Sequence, residues 1–194
     1  MSYHTLVQHI NRHVTLTEAE VEILKSLTRI KKVRKRQFVS EQGEITRYES
    51  YVVEGCLRCY HTDEDGNEHV VQFAVEDWWT ADLHSFLTQS PAHFSVEAIE
   101  PSVLIQFGYN EMEELYRSIP KLERFFRTIT QRAYVASQKR IITSFSKDAS
   151  KRYDEFRNRY PTIEQRVPQY MIASYLGISP EFLSKIRKRK LTNG

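Results

Sequence analysis

The 194-residue chain has little cysteine, glycine or proline: two, six and six residues. Two cysteines cannot build a disulfide framework, and their scarcity points to a reducing, cytoplasmic home. So little Gly and Pro excludes a collagen-like or low-complexity polymer. With 40% apolar and 27% charged residues, the composition is that of a folded protein rather than a disordered one. Long hydrophobic runs are missing too. The longest uncharged stretches, residues 83–96 and 167–180, span 14 residues each and are studded with polar side chains. A membrane span needs roughly 20 mostly apolar residues, so no membrane partner is expected. The start, Met1-Ser2-Tyr3-His4, lacks the basic and apolar regions of a secretion signal.

One absence is local. No Lys or Arg occurs between Arg58 and Arg117, an interval that holds 12 Asp and Glu. Charge is also uneven over the whole chain. Residues 1–136 carry 15 Lys and Arg against 20 Asp and Glu, whereas residues 137–194 carry 13 against 5. An acidic body with a basic C-terminal segment suggests two modules, the second facing a polyanion.

The patterning is mixed. Residues 16–27 read as a short helix capped by Thr17, with Glu18, Glu20 and Glu22 suiting its positive end and Leu16, Val21, Leu24 and Leu27 supplying contacts. From residue 30 to about 107, short runs of Val, Ile, Tyr and Phe are punctuated at Gly43, Gly55 and Gly66. This half is expected to be an antiparallel β-roll or barrel. Asp65-Gly66 is expected to close a type I′ hairpin. Met112 and Leu115 belong to a short helix. Ser118 is expected to cap a longer one with Pro120 in its first turn. In that helix Ile119, Leu122, Phe126, Ile129, Ala133 and Ala136 recur at a heptad-like 3-4 spacing. A helix lying on its own domain would show the same period. The polar remaining face, with Arg124, Arg127, Gln131 and Arg132, favours a two-fold dimer seam. A polar helix follows at about 148–159. The fold class is therefore α+β, divided into a roll at 1–110, a connecting and dimerisation helix at 111–146 and a helical domain at 147–194.

The specific signal lies in residues 168–189. Pro168 opens a helix, Gly177 breaks it, and Ser179-Pro180-Glu181 restarts another with a good cap, a first-turn proline and an acid at the helix start. Ala173 and Gly177 supply the small residue and turn glycine of a helix-turn-helix. Ile172, Leu176, Ile178, Leu183 and Ile186 sit where the two helices need pinning together. The outer face of the second helix carries Glu181, Ser184, Lys185 and Lys188, with Arg187, Arg189 and Lys190 around its end. Such a face reads bases with its first turns and phosphates with its later cations. Ser179, Glu181, Ser184, Lys185, Arg187, Lys188 and Arg189 are the expected DNA-contacting residues, and double-stranded DNA the expected partner.

Together with the run Tyr51-Val52-Val53-Glu54-Gly55-Cys56-Leu57-Arg58-Cys59-Tyr60 and the turn Asp63-Glu64-Asp65-Gly66-Asn67-Glu68, these motifs make the chain resemble the CRP/FNR superfamily of bacterial transcription regulators along nearly its whole length. The resemblance implies a cyclic-nucleotide-binding-type roll, a dimerisation helix, a DNA-binding domain, and RNA polymerase as a further partner. It also implies Glu181 and Lys185 as base readers. The family commonly has Ser-Arg-Glu with an Arg four residues beyond the Glu, where this chain has Ser179-Pro180-Glu181 and Lys185. The resemblance implies a β-wing after the second helix of the pair, which is expected to be short or absent because the chain stops at Gly194. Where the resembled pocket has Gly-Glu and then Arg-Ser or Arg-Thr, this chain has Ala81-Asp82 and Ala92-His93-Phe94-Ser95. Without an arginine to meet a buried cyclic phosphate, neither cyclic AMP nor cyclic GMP is expected to bind. Trp78, Trp79, Asp82, Phe86, His93 and Phe94 are candidate walls of a pocket for an apolar, aromatic or cationic effector, or of a pocket that is simply filled.

Enzyme chemistry has no support. There is no P-loop, dinucleotide glycine pattern or ordered Ser/His/Asp set. A cupin-like metal enzyme would want a His-x-His pair, and the roll has only His61, His69, His84 and His93. His9 and His13 have chelating i,i+4 spacing but no third ligand. Cys56 and Cys59, three apart on a strand, would point to opposite faces. No metal or cofactor is expected. A helix-turn-helix adaptor that binds only protein is the remaining alternative.

Overall fold

Thr17 starts a helix through a reciprocal cap. Its hydroxyl accepts the Glu20 N–H at 3.3 Å, and the Glu20 carboxylate accepts the Thr17 N–H at 2.7 Å, satisfying donors that a helix start leaves open. In the computed structural model, which describes residues 2–192, this helix is α2 (Glu18–Ser26). An earlier helix, α1 (Ser2–Asn11), buries Leu6 and Ile10 completely.

Eight strands follow: β1 (Thr28–Val33), β2 (Phe38–Ser40), β3 (Tyr48–Glu54), β4 (Leu57–Thr62), β5 (Glu68–Ala74), β6 (Trp79–Thr80), β7 (Ser95–Ala98) and β8 (Ser102–Gly108), with α3 (Leu83–Thr88) between β6 and β7. They form two antiparallel sheets, ordered β1-β8-β3-β6 and β2-β7-β4-β5. Val52, Leu57, Cys59, Ala74, Val96 and Leu104 fill the space between them. This is the expected roll.

The hairpin between β4 and β5 departs from the expected type I′ turn. Asp63 O accepts the Gly66 N–H at 3.0 Å, and Asp63 Oδ1 accepts the N–H of Asp65 at 3.1 Å and of Asn67 at 2.8 Å. With the Asp63 side chain organising a longer connection, Gly66 (φ 82) takes the left-handed conformation and Asp65 does not.

Next come α4 (Tyr109–Ser118) and α5 (Lys121–Ser146). Ser118 ends α4, its hydroxyl donating to Glu114 at 3.2 Å, so it does not cap α5. Pro120 takes the cap position there instead. The proposed seam also faces elsewhere. Ile119 and Leu122 are fully buried and Phe126 is 5% exposed, packed with Phe125, Leu6, Ile10, Tyr51 and Phe107 on the outer face of the first sheet. Ile129 is half-buried against the same cluster, Ala136 is half-buried and Ala133 is exposed. The 3-4 period thus records α5 lying on its own roll, since one apolar stripe serves either purpose. Beyond residue 133 a different face is bare: Tyr134, Val135, Ile141, Ile142 and Phe145 are exposed, Phe145 by 75%.

The C-terminal part holds α6 (Ala149–Arg159), capped by Asp148, then α7 (Gln169–Leu176) and α8 (Pro180–Thr192). Tyr153, Phe156, Tyr160, Ile172, Leu176, Leu183 and Ile186 share one core with Tyr60, Val70 and Phe73 of β4 and β5. Polar clamps border it. Arg166 reaches Glu76 at 2.8 Å and Glu100 at 2.5 Å, and the Ser174 hydroxyl bonds both the Val70 N–H and Glu68 O. Among the described residues, no helix is long and apolar enough to cross a membrane.

Candidate nucleic-acid interface and effector cassette

α7 ends where Gly177 adopts φ 63, a left-handed conformation that breaks a helix cheaply only at glycine. Ser179 then caps α8, its hydroxyl accepting the Phe182 N–H at 3.2 Å. Ala173 is buried where the helices meet, Ile172, Leu176, Leu183 and Ile186 pin them, and Ile178 packs partly buried beside them. Glu181, Ser184, Lys185, Lys188 and Arg189 face outward and are exposed. The Glu181 N–H and the Ser179 hydroxyl hold the Glu181 carboxyl below its usual range. Arg187 differs from its expected role: it is half-buried, its Nε 3.7 Å from Glu164. Lys190 turns the same way, 2.7 Å from Asp154. Both belong to the side of α8 that joins its domain. Phe182, 45% exposed beside Glu181, extends the outer face. Its position at the first turn of the second helix is the sequence signal for it, an aromatic among the polar residues of the outer face. Gly194, on which the β-wing expectation rests, lies outside the described residues.

In the roll, Asp82 and residues 92–95 come together. The Asp82 carboxylate, 1% exposed, caps α3 by accepting the Ser85 N–H at 2.9 Å. It also accepts the N–H of His93 at 2.6 Å and of Phe94 at 3.0 Å. The backbone donors of this cassette therefore already hold an internal anion. The six proposed pocket residues do not converge. Phe86 is buried against Tyr109 and the α5 core, Phe94 packs toward the roll interior, and His93 is exposed. Trp79 packs among Tyr51, Phe107, Phe125 and Phe126, while Trp78 stacks near Tyr160, ring centroids 5.2 Å apart.

The rings of His9 and His13 are 6.4 Å apart. Among the described residues no group of three or more His, Cys, Asp and Glu is placed to hold a metal ion. Cys56 and Cys59 are free and buried, Cys56 in the core shared with the C-terminal helices and Cys59 inside the roll. Burial pushes both thiols up to about 12.

The chain thus joins a β-roll, a long helix and a helix-turn-helix pair. A family model for the cyclic nucleotide-binding domain matches residues 30–118. The chain is 24% identical over 189 residues to the fumarate and nitrate reduction regulatory protein of Vibrio cholerae, covering 90% of this chain and 74% of that protein. FixK2 from Bradyrhizobium japonicum has a similar fold, with a TM-score of 0.74 at 17% identity over 86% of each chain. So does the c-di-GMP responsive global regulator CLP of Xanthomonas campestris, with a TM-score of 0.72 at 13% identity over 92% of this chain and 93% of that one. The chain thus carries a region that matches the cyclic nucleotide-binding domain family, and it is similar to these regulators in sequence or fold.

Proposed function

We propose that the protein is a dimeric, cytoplasmic regulator that binds double-stranded DNA by laying α8 in the major groove and that works with RNA polymerase. The observation that carries this reading is the outer face of α8. Glu181, Ser184 and Lys185 stand exposed on its first turns, while Leu183 and Ile186 are buried behind them. Lys185 suits guanine O6 or N7, Glu181 suits cytosine N4, and Phe182 suits a thymine methyl. Lys188 and Arg189 suit phosphates. The bare face of α5 (Val135, Ile142 and Phe145, with Tyr134 and Ile141 beside them) supports a two-fold pairing that presents two copies of α8 about one DNA turn apart. The Asp82 carboxylate, holding the amides of Ser85, His93 and Phe94, supports a regulator that does not answer to cyclic AMP or cyclic GMP.

The test is a mobility-shift titration against a randomised duplex pool at low and high salt. Selection of one sequence, with affinity falling steeply as salt rises, is the expected result. No enrichment of any duplex would leave the protein-binding adaptor as the better reading.

A further inference from the structure

A cleft of about 580 Å³ opens where α1, β3, β6, α5 and α6 meet, beside the cassette that Asp82 closes, with Ala81 and Leu83 in its wall. Its walls include both tryptophans of the protein, Trp78 and Trp79, each half-buried. Two buried polar atoms of its walls lack protein partners. The Thr80 hydroxyl is buried, 3% of the residue being exposed, and bonds nothing. His9 accepts the Trp79 indole N–H at Nε2, 3.4 Å away, which leaves the proton of a neutral imidazole on Nδ1. That Nδ1 is buried and unpartnered. Glu49, half-buried, lines the same cleft. Buried polar groups are nearly always paired, so two unpaired ones beside a single cleft mark a place built for something else.

The charges select among ligands. Asp77 is already matched by Arg12 at 2.8 Å and by the Tyr51 hydroxyl at 2.5 Å. Burial lowers the pKa of both His9 and His13, favouring their neutral forms. Loss of hydration pushes Glu49 up to about 7, weakening its charge. Arg132, 3.4 Å from His13 Nε2, and Arg159, 5.1 Å above the Trp78 ring, face no carboxylate. The cleft therefore offers flat indole surfaces and two guanidinium groups without a salt-bridge partner, with an unpaired N–H and hydroxyl buried in its wall.

We propose that this cleft is the effector site, and that it takes a compact planar aromatic acid. The anionic group meets Arg132 and Arg159, the ring lies against the tryptophans, and a ring N–H or O–H donates to Glu49. The inference deepens the regulator reading and rests on it for the word effector. It also supplies a coupling route. His9 belongs to α1, Arg132 to α5, and Arg159 to α6 beside the helix-turn-helix, so one ligand touches all three parts of the chain.

Calorimetric titration of the full chain reads binding directly, without interference from ligands that absorb and emit where tryptophan does. Anthranilate, salicylate and indole-3-acetate are titrated beside cyclohexanecarboxylate, benzylamine and cyclic AMP, with melting-temperature shifts as a second readout. The expected result is saturable binding of at least one aromatic acid, about tenfold or more tighter than the aliphatic acid or the amine. Arg132→Gln weakens it about tenfold through loss of a charge-assisted contact, whereas Arg124→Gln, outside the cleft, leaves it unchanged. No saturable change with any aromatic acid up to about 10 mM would overturn the assignment, as would equal binding of benzylamine or competition by cyclic AMP. Binding that leaves affinity for the selected duplex unchanged would overturn the effector role. If no duplex is selected at all, the DNA-binding reading falls while the calorimetric result still decides whether the cleft binds.

Discussion

The guanidinium of Arg140 lies 4.1 Å from the centroid of the Tyr175 ring and donates to Tyr175 O at 3.2 Å. It also donates to the carbonyl oxygens of Val70, at 3.1 Å, and Val71. One side chain of α5 thus ties the roll's β5 to the end of α7.

Arg140→Ala should loosen that junction. Hydrogen bonds from a charged donor contribute about 1.5–3 kcal/mol, and three acceptors depend on this one group. A loss of about 2 kcal/mol in urea unfolding is expected, with faster proteolytic cutting between α5 and α6. Arg140→Lys should rescue little, because an ammonium lacks the planar fork that serves several acceptors while stacking on a ring. Stability unchanged in both variants would mean the junction is held by the shared core alone.

Dimer variants should now separate. Ile142→Glu and Phe145→Glu place charge on the bare face of α5 and should give folded monomers in sedimentation. Phe126→Glu should instead abolish folding, since a glutamate would be buried among Trp79, Phe107 and Phe125, at a cost of several kcal/mol in order of magnitude. Dimers from Phe145→Glu would disprove the pairing face.

On α8, Lys185→Ala should relax sequence preference by about 1–3 kcal/mol of discrimination, and Lys188→Ala should lower affinity for all duplexes and the salt slope by about one unit. Arg187→Ala should act through stability rather than through either measure, given the Glu164 partner on its own domain. A selection experiment with each variant reads these apart.

Calorimetric titration with cyclic AMP and cyclic GMP should show no saturable binding in the micromolar range. A cyclic phosphate entering the cassette would meet the Asp82 carboxylate where it needs a cation, and like charges at close range repel strongly in a buried site. Binding by either nucleotide would show that Asp82 can swing away.

Gly55→Ala should be far more damaging than Gly66→Ala. Gly55 has φ 105, and a β-carbon there would fall 2.1 Å from Ser102 Oγ and 2.8 Å from its Cα. At Gly66 nothing lies within 4 Å, so only the left-handed backbone, about 1–2 kcal/mol, opposes substitution. Comparable melting temperatures for the two variants would contradict this difference.

Much of this molecule can be read from local chemistry. The Thr17 cap, the Gly177 break and the Ser179 restart depend on residues within four positions of each other, and each forms as its side chains dictate. Long-range choices are another matter. The 3-4 stripe beginning at Ile119 was legible as a stripe, but its partner was not, because an apolar face carries no label for intramolecular or intermolecular burial. The cation-free interval 59–116 was visible; that Arg12, Arg58 and Arg166 would fill it from outside was not. The same holds for the cleft. Its His9, Glu49, Thr80 and Arg132 are spread over the first 132 positions and no spacing connects them.

Cys56 and Cys59 have a consequence for chemical reactivity. Cys56 precedes β4 rather than lying on it with Cys59. Both sulfurs are enclosed, and burial pushes both thiols so far up that little thiolate exists near neutrality. Slow reaction of both thiols with alkylating reagents in the folded protein is the expected outcome. A cysteine introduced at an exposed site such as Phe145 would be the one fast-reacting thiol among the described residues, a clean handle for following how the molecule pairs and moves.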